Sequence, residues 1–497
     1  MKWRKKYGLK NKQSIAQDTF EVNEEELRQL FEKCSDIHFQ KVYVHKTEGL
    51  LLFCIGMIDS PYLNDHVLPA FEQFFQKNNI PLLSRDRDIL DKLQLQDASI
   101  IYTKEEIIQK IFSGYGIFFF EDEGLLLAVN MERKPQREPE ESGMEIAIKG
   151  SRDNFVEDIA INMALIRKRL PTNSLRSEEM TVGRRSKTAI KVLYIDDIVD
   201  REILDQIINS IQKIDIDAIY SGHQFMQLVD KKLYLFPTHD YSPRADWIVK
   251  ALLSGRIILL IDNIPYAVIV PINFMLLLKG AEDSEYPSLY VSFGRIIRLF
   301  AIGIAAFLPG FWVTITSFHQ SQLPIAMLAT VIESRKGIPL AGAVEALTML
   351  LLFELFREAG LRLPVQVGQT LSVVGGLIIG DAAIRAGLTS PSMLVVIAAS
   401  SVATFTLINQ SLVGIVGLVR FFVLIISSFF GFFGFFLSVF SVTLYLANIR
   451  VFGVPYLQVA TRISLANTIK SFFQLPPTLE SKRPNMFHSR DTTRREK

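Results

Sequence analysis

The alternation of apolar and polar residues divides the chain into three zones. Residues 1–290 mix apolar and charged positions, residues 291–446 are mostly apolar, and the residues after Arg450 are polar again. Uncharged apolar runs of about 20 residues have the length that spans the hydrocarbon core of a bilayer. The pattern therefore predicts an α+β region followed by an all-α polytopic membrane domain.

The first zone contains a repeated pattern. Helical and strand periodicities follow each other in the same order twice, and each series closes with two apolar strands around a short turn. The segments SGYGIFFFEDEGLLLAV, from Ser113, and SGRIILLIDNIPYAVIV, from Ser254, align without a gap. This agreement predicts two related α/β subdomains in tandem, and convergence on the same helix–hairpin pattern is the alternative.

Polar segments separate and flank these units. The segment ERKPQREPEES, from Glu132, is rich in charge and proline and has too little apolar content to fold alone. The basic N-terminus is followed by no apolar run of a signal peptide, so we expect the N-terminal region to be cytoplasmic. The predicted boundaries are 1–23 for a basic tail, 24–131 and 150–290 for the subdomains, 132–149 for the linker, 291–449 for the membrane domain and 450–497 for a cytoplasmic tail.

The apolar zone separates into several predicted membrane spans. Four spans are predicted at residues 293–318, 340–356, 369–386 and 392–413. The last apolar run, residues 414–446, is too long for one crossing, and Gly431 and Gly434 near its middle indicate either a hairpin of two spans or one long tilted helix. Residues 324–333 are too short to cross and predict a re-entrant or interfacial helix. Five or six crossings result, and six if the basic C-terminal tail is cytoplasmic.

The predicted third span has a face of small residues. They recur every three or four positions, at Ser372, Gly376, Gly380 and Ala383. Each glycine costs a helix about 1 kcal/mol relative to alanine, so such a face is typical of close helix packing in a membrane or of a pore lining. In a ring of identical helices from several subunits, a hydrophobic constriction would be the gate. Its candidate residues are Leu371, Val374 and Ile378.

Charged residues lie within or beside the predicted spans. Those of interest are Arg295, Arg298, Glu345, Glu354, Arg357, Glu358, Asp381 and Arg385. Charges in a membrane usually face the interior of a helix bundle or a water-filled space. Spacings of three and four residues allow pairing within the Glu354–Glu358 segment and between Asp381 and Arg385, whereas Glu345 is out of phase with Glu354. Structural or interfacial ion pairs are one interpretation, and an aqueous path is the other.

Composition and motifs favour no enzyme. A formal net charge of +2 gives no case for a nucleic-acid partner, and Cys34 and Cys54, the two cysteines, have neither a disulfide framework nor a metal-ligand spacing. The segment GRRSKT, from Gly183, resembles the end of a phosphate loop, but Glu178 stands where the first glycine belongs. We therefore expect no catalytic residue, metal or cofactor.

Four segments resemble the A-type subunits of the GerA family of spore germination receptors. They are FVEDIAINMALIRKRL from Phe155, SGRIILLIDNIPYAVIVP from Ser254, REAGLRLPVQVGQTLSVVGGLIIGDAA from Arg357 and FGVPYL from Phe452. The resemblance is strong over roughly residues 150–457 and weaker before them. Two departures concern local charge and shape: Ala245 replaces the proline that follows Arg244 in the family, and Asp381 replaces a neutral glutamine.

The resemblance implies a nutrient-sensing complex in the inner membrane of bacterial spores. Its expected partners are a transporter-like B-type subunit that binds the germinant, a C-type lipoprotein, membrane lipids and further copies of this chain. The implied role is a nutrient-gated ion channel that releases monovalent cations. The alternatives are a membrane signalling scaffold without conduction and a solute transporter subunit. Because transporters usually repeat within the membrane region and this chain repeats before it, the transporter is less favoured.

Overall fold

The computed structural model describes residues 23–44, 47–77, 98–121, 125–132, 149–150, 153–232, 234–362 and 380–457, with the single residues 93, 95, 473, 474 and 493. These residues form an α/β part with two antiparallel sheets and a helical part that follows it. Most of the basic tails, the linker and most of the predicted third span lie outside the described residues.

The first α/β unit is a five-stranded sheet with three helices. Its strands are β1 (Ile37–Val44), β2 (Thr47–Cys54), β3 (Ser99–Ile100), β4 (Tyr115–Phe120) and β5 (Leu125–Asn130), and its helices are α1 (Glu24–Leu30), α2 (Leu68–Lys77) and α3 (Lys104–Ile111). The short helix Ser60–Tyr62 and a π-helical turn, Leu63–Val67, lead into α2. The strands are antiparallel in the order β1-β2-β4-β5-β3.

The second unit repeats this arrangement. Its elements are α4 (Ile159–Arg169), β6 (Leu175–Val182), β7 (Thr188–Ile195), α5 (Arg201–Gln212), α6 (Gly222–Asp230), β8 (Asp240–Ser242), α7 (Ala245–Leu253), β9 (Ile257–Ile261), β10 (Ala267–Val270) and α8 (Phe274–Leu277). The strand order β6-β7-β9-β10-β8 is the order of the first sheet, strand for strand. The α/β character and the two similar sheets agree with the repeat in the sequence.

Both sheets are covered on their two faces. In β9 and β10 every residue is buried, which explains why these strands are continuous apolar runs instead of alternating ones. Polar side chains start the covering helices: Asp158 accepts from the backbone of Ala160 at the start of α4, and Asp200 accepts from Glu202 at the start of α5. The segment from Gly183 forms the turn between β6 and β7, where Gly183 has φ +97°, so the glycine serves a hairpin.

A buried junction joins the two units. Ser35 and Lys33 exchange backbone hydrogen bonds with Ser177 of β6, at 3.0 and 2.8 Å. Beside them, Arg167 of α4 binds Asp36 through two hydrogen bonds of 2.7 and 3.0 Å, and neither side chain is more than 1% exposed. Burial opposes ionisation of Asp36, but the Arg167 guanidinium outweighs it and lowers the pKa of this carboxyl. The two units are thus held together by a desolvated charge pair.

The helical part begins directly after the second sheet. Its helices are α9 (Ser288–Ser317), α10 (Ile325–Ser334), α11 (Gly342–Arg362), α12 (Gly380–Arg385), α13 (Pro391–Thr404) and α14 (Gln410–Asn448), with 3₁₀ turns at Ala281–Ser284 and Gln320–Gln322. The strands β11 (Arg450–Val451) and β12 (Val454–Pro455) follow α14. Among the described residues, only α9 and α14 are both long and apolar enough to cross a bilayer.

That number is smaller than the five or six spans predicted from the sequence. The helix α11 has 21 residues but carries charged side chains along its length, and α13 has only 14 residues. The predicted fourth span, residues 392–413, was too long because the helix ends at Thr404. Asn409 then starts a new helix by accepting hydrogen bonds from the backbone of Ser411 and Leu412.

The long helix α14 is a hairpin. Gly431 has φ 58° and ψ −138°, a backbone conformation that breaks the helix into two arms, residues 410–430 and 432–448. Val419 and Val442, at nearly equal distances along the chain from Gly431, line the same cavity between the arms. The hairpin alternative is therefore confirmed and the single tilted helix is wrong.

Candidate functional site

The two ends of the helical part have different surroundings. At the near end, which contacts the α/β part, Asn409 binds Asp240 at 2.6 Å and Tyr445 accepts from the backbone N–H of Leu235 at 2.8 Å. At the far end, the His319 ring after α9 lies 4.5 Å from the Phe432 ring beyond the Gly431 bend. These contacts define a near end and a far end of the helical part, which serve below to describe the direction of each helix.

Arg295 and Arg298 form a cluster at the near end. Both bind one carboxylate, Asp283, with nitrogen–oxygen distances of 3.3 and 3.0 Å. Arg298 also donates to the Leu278 carbonyl oxygen, at 2.9 Å, and Arg295 to the Gln474 side chain, at 2.8 Å. Arg295 and Arg298 are three residues apart and so lie on one face of α9. That face is tied to the last turns of the α/β part, which fixes where α9 leaves it.

A second cluster lies between α11, α13 and α14. Glu354 pairs with Arg357 on its own helix and with Arg420 of α14, the latter at 3.2 Å. Arg420 is 2% exposed and also donates to the hydroxyls of Ser400 and Ser401, at 3.2 and 3.4 Å. The pairing of Glu354 with Arg357 was predicted from their spacing, and Glu358 lies exposed on the same helix. The cluster therefore links three helices through charge.

Glu345 is in a third cluster, at the far end. It is fully buried, and its Oε1 accepts from the Ser390 N–H at 2.7 Å, from the Ser390 hydroxyl at 2.6 Å and from the Thr389 hydroxyl at 3.2 Å. Arg335 lies 3.7 Å from its other oxygen. Glu345 thus holds the start of α13, away from Glu354 as its phase on the helix predicts.

The small-residue span is only partly described. Asp381 and Arg385 form the predicted pair, at 2.7 Å, and both are exposed. Gly380 and Ala383 are buried, and a Cβ at Gly380 would lie 3.3 Å from the Leu394 side chain of α13. For these two residues the described contacts are those of close helix packing. Ser372 and Gly376, like the gate candidates Leu371, Val374 and Ile378, lie outside the described residues.

Both feet of the α14 hairpin are attached to the second α/β unit, the first to strand β8 and the second to the loop before β8 and to α8. At the first foot, Asn409 uses its side-chain oxygen to cap α14 and its side-chain N–H to bind Asp240 of β8. At the second foot, Tyr234 donates to the Arg450 carbonyl oxygen at 3.2 Å, and Phe274 donates its N–H to the Tyr456 carbonyl oxygen at 3.0 Å. A movement of this unit would therefore act on both arms together.

In the described residues, the charged clusters hold neighbouring helices and the α/β part together. In the described part of the chain, no group of three or more His, Cys, Asp or Glu side chains is placed to hold a metal ion. The sequence interpretation missed the partners of its own candidates: Asp283, Arg335, Ser390 and Arg420. Arg420 offered a signal, since it is a lone charge in the long apolar run of α14.

Comparisons with known proteins agree with these features. A family model described as "Bacillus/Clostridium GerA spore germination protein" matches residues 25–486. The chain is 39% identical to "Spore germination protein XA" of Bacillus anthracis, over 96% of this chain and 98% of that protein. It is 27% identical to "Spore germination protein KA" of Bacillus subtilis (strain 168), over 93% and 86% of the two chains.

A solved structure is also similar to the first half of the chain. It is the crystal structure of the N-terminal domain of the A subunit of the Bacillus megaterium spore germinant receptor GerK3, with 22% identity and a TM-score of 0.39, over 49% of this chain and 91% of that one. The family is established by the match over nearly the whole sequence. The chain belongs to the GerA family of spore germination proteins.

Proposed function

We propose that the chain is the A-type subunit of a nutrient germinant receptor in the spore inner membrane. In this proposal it assembles with a transporter-like B-type subunit, a C-type lipoprotein and further copies of itself. Binding of nutrient to the complex opens a channel that releases monovalent cations. Support comes from the family membership and from the charged clusters that link α11, α13 and α14 to one another.

The directions of the helices are those that six passes between the near and far ends would need, although among the described helices only α9 and α14 are long and apolar enough to be clear spans. The helix α9 runs from the near to the far end, α11 and α13 run from the far to the near end, and the arms of α14 run out and back. Arg362 ends α11 about 30 Å from its start, whereas Ala383 packs beside that start, with Ala346 and Leu350. We propose that residues 363–379 return across the membrane between these points, as the sixth crossing.

The same segment is our proposed pore helix. Within one chain, the charged side chains of the described helices are bound to one another or to hydroxyl groups. Because these groups are already engaged, we propose that the water path lies between copies of the chain. Ser372 and Gly376 would line it, and Leu371, Val374 and Ile378 would be the hydrophobic gate. Gly380 and Ala383 are also proposed as pore-lining from the sequence. In this arrangement they would instead pack against α13, at the far end of the same segment.

The attachment of both hairpin feet to one α/β unit supplies a route for gating. A state change in the cytoplasmic α/β part would move the two arms of α14, and Arg420 on the first arm is paired with Glu354 of α11. The helix α11 leads directly into the proposed pore segment. Coupling between sites requires an element with two arrangements that both sites bias, and the α14 hairpin is our candidate for that element.

The test is ion flux through the reconstituted complex. The chain is incorporated into K⁺-loaded liposomes with its B-type and C-type partners, and K⁺ efflux is recorded after addition of candidate germinants. We expect germinant-dependent efflux, and we expect Val374→Ala to raise efflux without germinant because it widens the constriction. Val402→Ala is the matched control, since Val402 is 61% exposed on α13.

The outcomes separate the alternatives. A signalling scaffold would give no efflux with any germinant and no effect of Val374→Ala in a complex that assembles normally. A transporter would give uptake of the labelled germinant that saturates and needs no open pore. Either result, with intact assembly shown by size-exclusion chromatography, would contradict the channel.

A further inference from the structure

An apolar cavity opens between the arms of the α14 hairpin at its near end. It has a volume of about 370 Å³, within the range of about 300–1,000 Å³ that is typical of small-molecule sites. Its walls come from both arms and from the loop before β8. The lining residues are Leu235, Phe236, Leu418, Val419, Phe422, Ser441, Val442 and Tyr445.

Both polar side chains of the walls are hydrogen-bonded within the protein. The Ser441 hydroxyl donates to the Leu437 carbonyl oxygen at 2.7 Å, and the Tyr445 hydroxyl accepts from the Leu235 N–H at 2.8 Å. Large apolar side chains are nevertheless left exposed at the opening, with Leu418 58% and Leu235 47% exposed. An apolar occupant would cover this surface and leave both of these hydrogen bonds intact.

The depth of the cavity corresponds to one leaflet of a membrane. Its lining residues on the second arm lie three to seven residues before Asn448, which is about 5–11 Å along a helix. Those on the first arm lie about 12–18 Å beyond Gln410. With α14 across a bilayer, as in the proposed function, the cavity would lie at the level of the acyl chains on the side of the α/β part.

Basic residues surround its near end. Lys231 and Lys232 are exposed, and Lys232 is three residues from Leu235, which limits their Cα separation to about 10 Å. Arg450 is exposed at the end of the second arm, where its carbonyl oxygen is bound by Tyr234. Asp230 is the acidic residue beside the two lysines, so the group keeps a net positive charge. Basic groups at this level favour anionic lipid headgroups.

We propose that this cavity is a binding site for one anionic phospholipid. An acyl chain fills the space between the two arms of α14, and the phosphate headgroup lies by Lys231, Lys232 and Arg450. Because the lipid contacts both arms and the Leu235–Phe236 segment of the α/β part, it completes the attachment of the second hairpin foot. The proposal rests on the membrane placement of α14 proposed above, but lipid binding is measured without conduction, so its failure and the failure of the channel can be told apart.

The test uses the full-length chain purified in detergent, with native mass spectrometry at increasing phosphatidylglycerol or phosphatidylcholine of the same acyl chains. We expect one phosphatidylglycerol per chain, bound more tightly than phosphatidylcholine. The triple change Lys231→Gln, Lys232→Gln and Arg450→Gln is expected to weaken phosphatidylglycerol binding about fivefold for each charge removed. Val442→Trp fills the cavity and is expected to abolish the specific site.

Matched controls and a second measurement keep the result decisive. Val402→Trp adds the same bulk on an exposed position of α13, and Lys336→Gln removes a charge after α10; both should bind lipid normally. Should Val442→Trp not fold, competition on the unchanged chain decides: lysophosphatidylglycerol should displace the lipid and glycerol phosphate should not. Equal binding of both lipids, normal binding by Val442→Trp, or no retained lipid in the chain or in its complex would overturn the proposal.

Discussion

At the scale of single residues, Asp36 and Arg167 form an ion pair that is almost completely removed from water. Both side chains are desolvated, Arg167 also donates to the carbonyl oxygens of Thr172 and Leu175, and its guanidinium lies 4.1 Å from the centre of the Phe112 ring. A buried charge that loses its partner costs far more than a surface ion pair contributes. The pair therefore fixes the orientation of the first unit on the second.

We predict that Asp36→Asn destabilises the folded chain by about 3–5 kcal/mol, because Arg167 is left buried without a counter-charge. The apparent Tm of the α/β transition in detergent should fall by roughly 10 °C. The combined change Asp36→Leu and Arg167→Met should recover most of this loss, since apolar side chains of similar volume replace both charges.

The control for this prediction is an exposed pair of the same length. Lys41 and Glu48 are also 2.7 Å apart, with side chains 56% and 50% exposed. Exposed pairs are screened by water, so Glu48→Gln should leave the Tm unchanged. Equal effects of Asp36→Asn and Glu48→Gln would contradict the assignment of the junction to a buried charge.

His239 predicts a dependence of stability on pH. Burial, assisted by His223 at 3.4 Å, lowers the pKa of His239 to about 4, whereas a histidine in the unfolded chain has a pKa of about 6.5. Between these values the unfolded chain takes up a proton that the folded chain excludes. Stability should therefore fall by up to about 3 kcal/mol as the pH drops from 6.5 to 4, and no further below 4.

The measurement is the Tm difference between the parent and His239→Gln across this pH interval. The Tm of the parent should fall relative to that of the variant as the pH falls, because the variant lacks the group that titrates. His66→Gln, at an exposed position, is the control for the loss of one imidazole. A Tm difference that stays constant from pH 7.5 to 4 would show that His239 does not carry the linkage.

At the scale of elements, the bend at Gly431 sets the hairpin. The positive φ of 58° with ψ −138° strains any residue with a Cβ, and a Cβ there would lie 3.2 Å from atoms of Phe318 and His319. We predict that Gly431→Ala destabilises the helical part by about 1–3 kcal/mol. The measurement is the apparent Tm of the purified full-length chain in detergent.

Gly414 is the matched control on the same helix. It lies in the first arm, and a Cβ added there would meet nothing within 4 Å. Gly414→Ala should therefore keep or raise the Tm, because alanine favours a helix by about 1 kcal/mol over glycine. A similar loss from both substitutions would mean that α14 tolerates no change in its backbone freedom and that the bend has no special role.

Local features of the fold and of the charged clusters could be predicted from the sequence. The pairs Glu354–Arg357 and Asp381–Arg385 follow from helical spacing, and the repeated hairpins follow from apolar runs around short turns. Partners distant in sequence could not be predicted. Glu354 and Arg420 are 66 residues apart, and no local pattern records which helices will pack together.

Three strands, β3, β6 and β8, are hard to predict from the sequence because they carry no clear alternation of apolar and polar residues. Strand β6 lies at the edge of its sheet and carries the polar run SEEMT, so its alternation is weak. Strands β3 and β8 have two and three residues, too few for any periodicity to appear. Their positions are set by backbone pairing with the neighbouring strands, β3 with β5 and β8 with β10. Such pairing depends little on the side chains of the short strand.

At the scale of the whole molecule, one core continues from the second sheet into the helical part. Residues of that sheet such as Leu193 and Ile258 belong to the same buried cluster as Ala305 of α9 and Val416 of α14. The α/β part is therefore packed directly onto the helical part. A change in the sheet must be accommodated by the feet of the hairpin, which is the mechanical basis for the gating route proposed above.

Asn409 allows this route to be tested without breaking the helix that it starts. Asn409→Asp keeps the side-chain oxygen that caps α14, since aspartate is a good N-cap, but it places a carboxylate against Asp240 in place of a donor. We predict that germinant-triggered K⁺ efflux falls about 5- to 150-fold, the range of a coupling free energy of 1–3 kcal/mol. Assembly of the complex should be unchanged.

Two further variants decide whether the link itself is responsible. Asn409→Ser also caps the helix, but the serine side chain is too short to place a donor beside Asp240. Efflux should therefore fall again, although no charge has been added. Gln410→Glu adds a charge in the same turn at an exposed position, where a carboxylate suits the helix N-terminus, and efflux should be normal. If Gln410→Glu reduces efflux as much as Asn409→Asp does, local charge and not the attachment to the sheet controls the hairpin. If the parent complex shows no efflux, the Tm of Asn409→Asp still reports the link, because two facing carboxylates must lower the stability of the first foot.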